Sequence, residues 1–389
     1  MTRPLDGLLV VSLEQAIAAP YCTRQLADLG ARVIKVERPD GGDFARGYDT
    51  RARGLSSHFV WTNRSKESLA LDLKRDDAVA ALRRIIGQAD IFVQNLAPGA
   101  AERLGLGHAP LRAANPRLVT CSISGYGPGG PFSSKKAYDL LVQAESGFLS
   151  VTGTPETPVK AGISVVDIAA GVTAYHSILA ALLNRHRTGA GDHVEVSMLE
   201  AMAEWMGFPM YYAMDGAPPP PRAGAGHATI FPYGPYSTAD GAVLFGLQNE
   251  REWAAFCRVV LGRPELATDA RFAGNAQRAA HRDAVNGEID GVLSALTTQQ
   301  AIDRLEAAGI GTAQIRNMAD LWAHEQLDAR QRWTEVGSPA GALPALKPVG
   351  GQGWEARMDP IPALGEHSRA ILEEFGFSGE ETGALLGPG

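Results

Sequence analysis

The sequence predicts an α/β protein: a large domain built on a parallel sheet, followed by a smaller α+β domain. Three observations point there. Strand-like and helix-like segments alternate up to about residue 200, the mark of repeated βαβ units. The composition then breaks at DGAPPPPRAGAGHA (215–228), which holds four consecutive prolines. A chain of 389 residues also exceeds the length, about 250–300 residues, at which a single core stops growing.

The elements follow in order. LLVVSL (8–13) reads as a buried strand. PYCTRQLADLG (20–30) reads as a helix opened by Pro20 and closed by Gly30, with Leu26 and Leu29 on one face. ARVIKVERP (31–39) is the next strand, stopped by Pro39. The pattern recurs in DDAVAALRRIIGQA (76–89), DIFVQNL (90–96) and RLVTCSIS (117–124). IAAGVTAYHSILAALLNRHRTG (168–189) is a long apolar helix, and DHVEVSM (192–198) a further strand.

Proline and glycine exclude a regular element at 215–228, so this stretch reads as a linker running into a loop. FPYGPYSTADGAVLFGLQ (231–248) reads as a hairpin turning at Asp240-Gly241. Helical stretches follow at 249–262 and 280–308, LPALKPVGGQG (343–353) as a loop, and HSRAILEEFGF (367–377) as a terminal helix packing back on the first domain. The expected divisions are a large domain at 1–210, a linker at 211–227, a small domain at 228–330, a second linker at 331–353, and a returning segment at 354–389.

The charge balance narrows the function classes. With 36 basic and 43 acidic residues the net charge is −7, which argues against nucleic acid or an anionic membrane as the main partner. Cys22, Cys121 and Cys257 are odd in number, far apart and without metal-ligand spacing. That fits a reducing cytoplasm and no metal site. The apolar run in MTRPLDGLLVVSLEQ is too short for a signal peptide. No run of about 18 apolar residues is expected to span a bilayer. The expectation is a cytoplasmic protein.

Several chemistries lack their motifs. There is no G-x-x-x-x-G-K-[ST] loop, no H-E-x-x-H and no G-x-S-x-G elbow. The first βα turn, SLEQAIAAP (12–20), lacks G-x-G-x-x-G, so no dinucleotide is implied. What stands out is ISVVDIAAG (163–171), where apolar and small residues surround Asp167. An unpaired buried carboxylate is expensive. Two readings account for it: a helix N-cap accepting N–H bonds from the first turn, or a carboxylate that reacts.

An ordered set of segments resembles a known family. LDGLLVVSLEQAIAAPYCTRQLADLGARVIKVERPDGGD (5–43), NRSKESLALDLK (63–74), VQNLAPGAAERLGL (93–106), SISGYGPGGP (122–131), KKAYDLLVQAESG (135–147), VVDIAAG (165–171) and GDHVEVSMLEA (191–201) look like the family III CoA-transferases. PYGPYSTADG (232–241) extends the likeness into the second domain. The family includes formyl-CoA and carnitine CoA-transferases and, as a branch, α-methylacyl-CoA racemase.

The resemblance implies a large Rossmann-like domain, and a homodimer of two interlocked rings closed through the two linkers. It implies acyl-CoA and a carboxylic acid as small-molecule substrates, with coenzyme A needing neither a metal nor a nucleotide cofactor. It makes Asp167 the catalytic nucleophile, which follows a short apolar strand, leads into a helix and passes through an aspartyl anhydride and thioester. Arg38, Lys74, Asn95, Arg103, Lys136 and Tyr138 match CoA-contacting positions. Gln15 and Ile17 stand where the formyl-CoA enzyme has a His-x-Gln contact, and Gly224, Gly226 and His227 stand in place of its four-glycine loop. Both departures weigh against oxalate.

Arg46, with Arg51 and Arg53, offers guanidinium forks for a diacid, so the expected acceptor is an itaconate-, mesaconate- or citramalate-like dicarboxylate and the donor succinyl-CoA or acetyl-CoA. Two alternatives stay open: an α-methylacyl-CoA racemase-like epimerase and a non-catalytic CoA-binding protein. The racemase reading needs a His before Asp139, and Tyr138, with an ordinary pKa of about 10, is a poor proton shuttle. Lys136-Ala137-Tyr138 instead carries the transferase Lys-x-Tyr pattern.

Overall fold

A computed structural model describes residues 2–351 and 353–387. The chain divides into two compact units. One holds the chain up to Ser146, Ala161–Gly207 and the chain from Leu327 onward; the other holds Gly147–Lys160 and Phe208–Gln326. The sequence reading placed all of 1–210 in the large domain. The structure instead gives 147–160 to the second unit, because Gly224 and Arg222 hydrogen-bond to the carbonyls of Gly153, Thr154 and Pro155.

The first unit is built on a six-stranded sheet: β1 (Leu9–Leu13), β2 (Arg32–Glu37), β3 (Lys66–Ala70), β4 (Ile91–Gln94), β5 (Val119–Ser124) and β6 (His193–Ser197). The order is β3-β2-β1-β4-β5-β6 and every pairing is parallel. Val10 of β1 stands opposite Val33 on one side and Ile91 on the other. Such strands are covered on both faces, which is why they read as apolar runs. The strand order reverses between β1 and β4, so the crevice beyond their carboxyl ends is where an open α/β sheet takes its ligand.

The helices of this unit used below are α1 (Ala18–Asp28), α2 (Asp76–Ile86), α3 (Asp139–Glu145), α4 (Val165–Thr188) and α5 (Met198–Trp205). A core of Val11, Ile34, Leu69, Leu82, Ile85 and Phe92 lies beneath α2, and Ile371 and Leu372 of a C-terminal helix (Ser368–Glu374), with Phe375 just after it, join this core. The stretch expected as a loop at 343–353 begins instead with a strand, Leu343–Leu346, antiparallel to Trp333–Val336. Pro344 is compatible with this two-stranded ribbon because each strand keeps an unpaired edge.

α4 has 24 residues and a mean hydropathy of 1.6 over 18 of them, so by length and composition it is long and apolar enough to cross a membrane, although Asp167 and His176 break its apolar run. In this fold α4 packs on α1, α3, α5, β5 and β6, burying Val166, Ala170, Ala174 and Ile178.

The second unit carries a three-stranded antiparallel sheet: β7 (Tyr233–Ser237), β8 (Ala242–Gly246) and β9 (Thr312–Gln314). The β7–β8 turn is closed by Thr238 N–H donating to the Gly241 carbonyl. Its core gathers Val243, Phe245, Trp253, Phe256, Phe272, Ile289 and Leu305.

Candidate active site

Asp167 is the third residue of α4, not its N-cap. Ser164 holds the cap position and makes no side-chain cap bond. No strand precedes it either, since the helix already begins at Val165. The first-turn donors are met from outside: Asp139 Oδ1 accepts from Val166 N at 2.8 Å and from Asp167 N at 3.1 Å. Asp139 Oδ2 accepts from Gln143 Nε2 at 2.6 Å, and the Gln143 Oε1 accepts from Ala161 N at 2.9 Å.

The half-buried Asp167 carboxyl is pushed up to about 7, first by burial and then by the like charge of Asp139. Tyr48 faces the same place. Its hydroxyl is raised by burial, and then by Asp43, Asp167 and Tyr138. One turn along α4, Gly171 lets the helix touch α1: a Cβ there would lie 2.7 Å from the Ala18 carbonyl oxygen. That contact sets the first turn of α4 beside the start of α1, and so beside the β1–α1 turn.

The β1–α1 turn is fixed at the switch point of the sheet. Asn95 Oδ1 accepts from Gln15 N at 2.9 Å, and Asn95 Nδ2 donates to the Gln15 carbonyl at 2.9 Å. Ala16 takes a left-handed φ of 62° and donates its N–H to Asp43 Oδ1. Asn95 therefore shapes the turn with its side chain. Gln15 keeps a buried Oε1 without a hydrogen-bond partner among the described residues.

The other expected site residues have these settings. Ile17 is 2% exposed and belongs to the core. Arg46 spends its fork on Glu37, at 2.8 and 2.7 Å, and lies over the Phe59 ring, so it offers no free fork to a diacid. Arg53 donates to the Ala342 carbonyl. His227 does not reach outward: its Nδ1 accepts from Ile230 N at 3.0 Å and its ring stacks on Tyr233. Gly224, with a φ of 61°, is tied to Gly153, and Gly226 lies against Gly234. These three belong to the second unit.

Arg38, Lys74, Arg103, Lys136 and Tyr138 are all exposed. Arg38 follows β2, donates to the Gly42 carbonyl and lies over Phe44. Among the described residues, no group of three or more His, Cys, Asp or Glu is placed to hold a metal ion. Sequence reasoning missed Asp139 and Tyr48 as members of the site. Asp139 and Gln143 stand four apart on one helix face, which was the one available signal.

The sequence model for CoA-transferase family III matches residues 5–368. The chain belongs to this family. The succinate–glutarate CoA-transferase of Agrobacterium fabrum is 33% identical over 96% of both chains. The succinyl-CoA:mesaconate CoA-transferase of Haloarcula hispanica is 33% identical over 96% of both, and the acetyl-CoA:oxalate CoA-transferase of Acetobacter aceti 34% over 96% of both. Among solved structures, a CaiB/BaiF family protein from Brucella suis superposes with a TM-score of 0.85 at 32% identity, covering 96% of this chain and 100% of that one. The protein is thus a family III CoA-transferase, an enzyme whose substrates are an acyl-CoA and an acid.

Proposed function

We propose that this CoA-transferase moves CoA from succinyl-CoA to a C4–C5 dicarboxylate of the mesaconate, itaconate, citramalate or glutarate kind, through acylation of Asp167. The observation that carries the chemistry is the half-buried Asp167 in the first turn of α4, with no cation paired to it among the described residues and a second carboxylate beside it. Poor solvation makes a carboxylate more basic and a stronger nucleophile.

In the first step an Asp167 oxygen attacks the thioester carbonyl. A C–O bond forms, the C–S bond breaks, and the negative charge leaves on the CoA thiolate. The thiolate then attacks the Asp167 carbonyl of the anhydride, releasing the donor acid and leaving an aspartyl-CoA thioester. The acceptor carboxylate attacks that thioester and expels the thiolate, giving a second anhydride. Attack of the thiolate on the acceptor's carbonyl restores Asp167. One thioester replaces another, so no ATP is consumed.

All three relatives above carry dicarboxylates in their names; the C4–C5 length proposed for the acceptor rests on two of them, the third being named for the C2 diacid oxalate. With Arg46 paired to Glu37, the cation for the second carboxylate is sought among the exposed Arg38, Lys136 and their neighbours.

The subunits are proposed to work as an interlocked homodimer. Trp205, Phe208, Met210, Tyr211 and Tyr212 are exposed in one short stretch of chain, and clustered exposed apolar residues of this kind are what a protein–protein contact covers. The deciding experiment screens mono- and dicarboxylic acids against succinyl-CoA and acetyl-CoA with mass detection of new thioesters. C4–C5 diacids with succinyl-CoA are expected to lead; oxalate outperforming them contradicts the acceptor assignment.

A further inference from the structure

The geometry points to Asp139 as a positioning residue for Asp167: its carboxylate closes the open end of α4 and sets a fixed negative charge beside the carboxylate that reacts. This inference rests on the acylation of Asp167 proposed above. A helix leaves its first N–H groups without partners, and Ser164 does not serve them. Asp139, at the start of α3, serves two of them with one oxygen. Its other oxygen is held by the buried Gln143, which is itself tied to Ala161 just ahead of α4. The carboxylate is held at both ends and cannot turn away from Asp167.

The arrangement has a chemical consequence. Two anions share the site while Asp167 is free, and one remains once it is acylated. Forming the anhydride or thioester therefore relieves repulsion that the free enzyme carries. The first-turn N–H groups occupied by Asp139 are also withheld from Asp167, whose carboxylate stays basic. The ionisable groups that act with Asp167 are Asp139 at the start of α3 and Tyr48 from the turn after β2, Tyr48 in turn being influenced by Tyr138 and Asp43. On the α1 side, Gly171 meets Ala18 and Tyr21. Of these, the carboxylate of Asp139 is the charge that raises Asp167.

Asp139→Asn keeps an oxygen to accept the two N–H bonds, removes the charge and gives up the bond from Gln143 Nε2, since its own Nδ2 is a donor; Asp139→Ala removes acceptors and charge together. The test is single-turnover release of CoA from succinyl-CoA and acetyl-CoA across pH 5–9, with hydroxylamine trapping of acylated Asp167. The expected result is trapping in the wild type and in Asp139→Asn, with the acidic limb of the Asn profile displaced downward by about one pH unit. Asp139→Ala is expected to slow acylation at least tenfold, largely rescued by Asn. Asp139→Ser, which keeps a smaller acceptor, provides the profile should Asn not fold, and its limb is expected to move the same way. An acidic limb unmoved in the folded variants, or equal loss in Ala and Asn, overturns the role of Asp139 while Asp167 still labels. Failure of wild-type Asp167 to label overturns both this inference and the acylation reading.

Discussion

Two groups of carboxylates in the same unit meet opposite fates. Along β2 and β3 and in the turns after β1 and β2, Glu14, Glu37 and Asp43 are buried with Lys35 and Lys66, and the partly buried Arg46 joins them. Lys66 Nζ lies 2.6 Å from Glu14, Lys35 Nζ lies 2.6 Å from Asp43, and Arg46 grips Glu37 with both ends of its fork. Three negative charges face three positive ones. Burial alone would raise Glu37, yet the hydrogen bonds of Arg46 and the charge of Lys35 bring it down to about 2. At Asp167 burial is joined by a like charge instead, and the carboxyl rises to about 7. A buried acid becomes structural or reactive according to the company it keeps.

Breaking the neutral cluster has the largest expected effect on stability. Lys66→Met takes from the buried Glu14 the nearer of its two lysines, leaving Lys35 Nζ at 3.5 Å and the Thr23 hydroxyl as its partners. Loss of one partner from a buried ion pair costs about 3–5 kcal/mol, read as a fall in the denaturant midpoint. A midpoint unchanged from the wild type contradicts the structural role given to this cluster.

Gly171→Ala comes next. Its Cβ at 2.7 Å from the Ala18 oxygen must push α4 from α1, costing about 1–3 kcal/mol. Because Asp167 lies one turn away, kcat is expected to fall at least tenfold. Full activity contradicts the placement of α4 against α1.

Asp167→Asn has the smallest expected effect on stability, and the opposite sign. A folded-state pKa raised from 3.8 to about 7 means that ionisation of Asp167 penalises the fold. The penalty is complete above pH 7, shrinks as pH falls and is gone below about 4. The shift corresponds to about 4 kcal/mol at full ionisation; with partial exposure of the carboxylate and the cost of burying a neutral amide taken off, Asp167→Asn is expected to stabilise the protein by about 1–2 kcal/mol at pH 8 and by less than half of that at pH 5. Thermal melts at the two pH values check this.

The same contrast explains what the sequence disclosed. Val10, Ile34, Phe92 and Val119 mark their strands by apolar runs that any parallel sheet requires. KESLA at β3 gave no such signal, because Lys66 and Ser68 point into the charge cluster and are buried by pairing with Glu14 and Glu37. Arg46 looked free for the same reason; a local reading cannot see that Glu37 claims it. Asp167 stood out in the sequence as a carboxylate among apolar neighbours, and the structure places it half-buried in the first turn of α4. Its partner Asp139 did not stand out, since the contact spans 28 residues in sequence and forms only when α3 meets the start of α4.

The most direct test is to incubate the enzyme with succinyl-CoA, quench with hydroxylamine and map the modified peptide by mass spectrometry. The account predicts a hydroxamate on Asp167 in near-stoichiometric yield, lost in Asp167→Ala together with transfer. Transfer that continues in Asp167→Ala, or a hydroxamate on any other carboxylate, would contradict it.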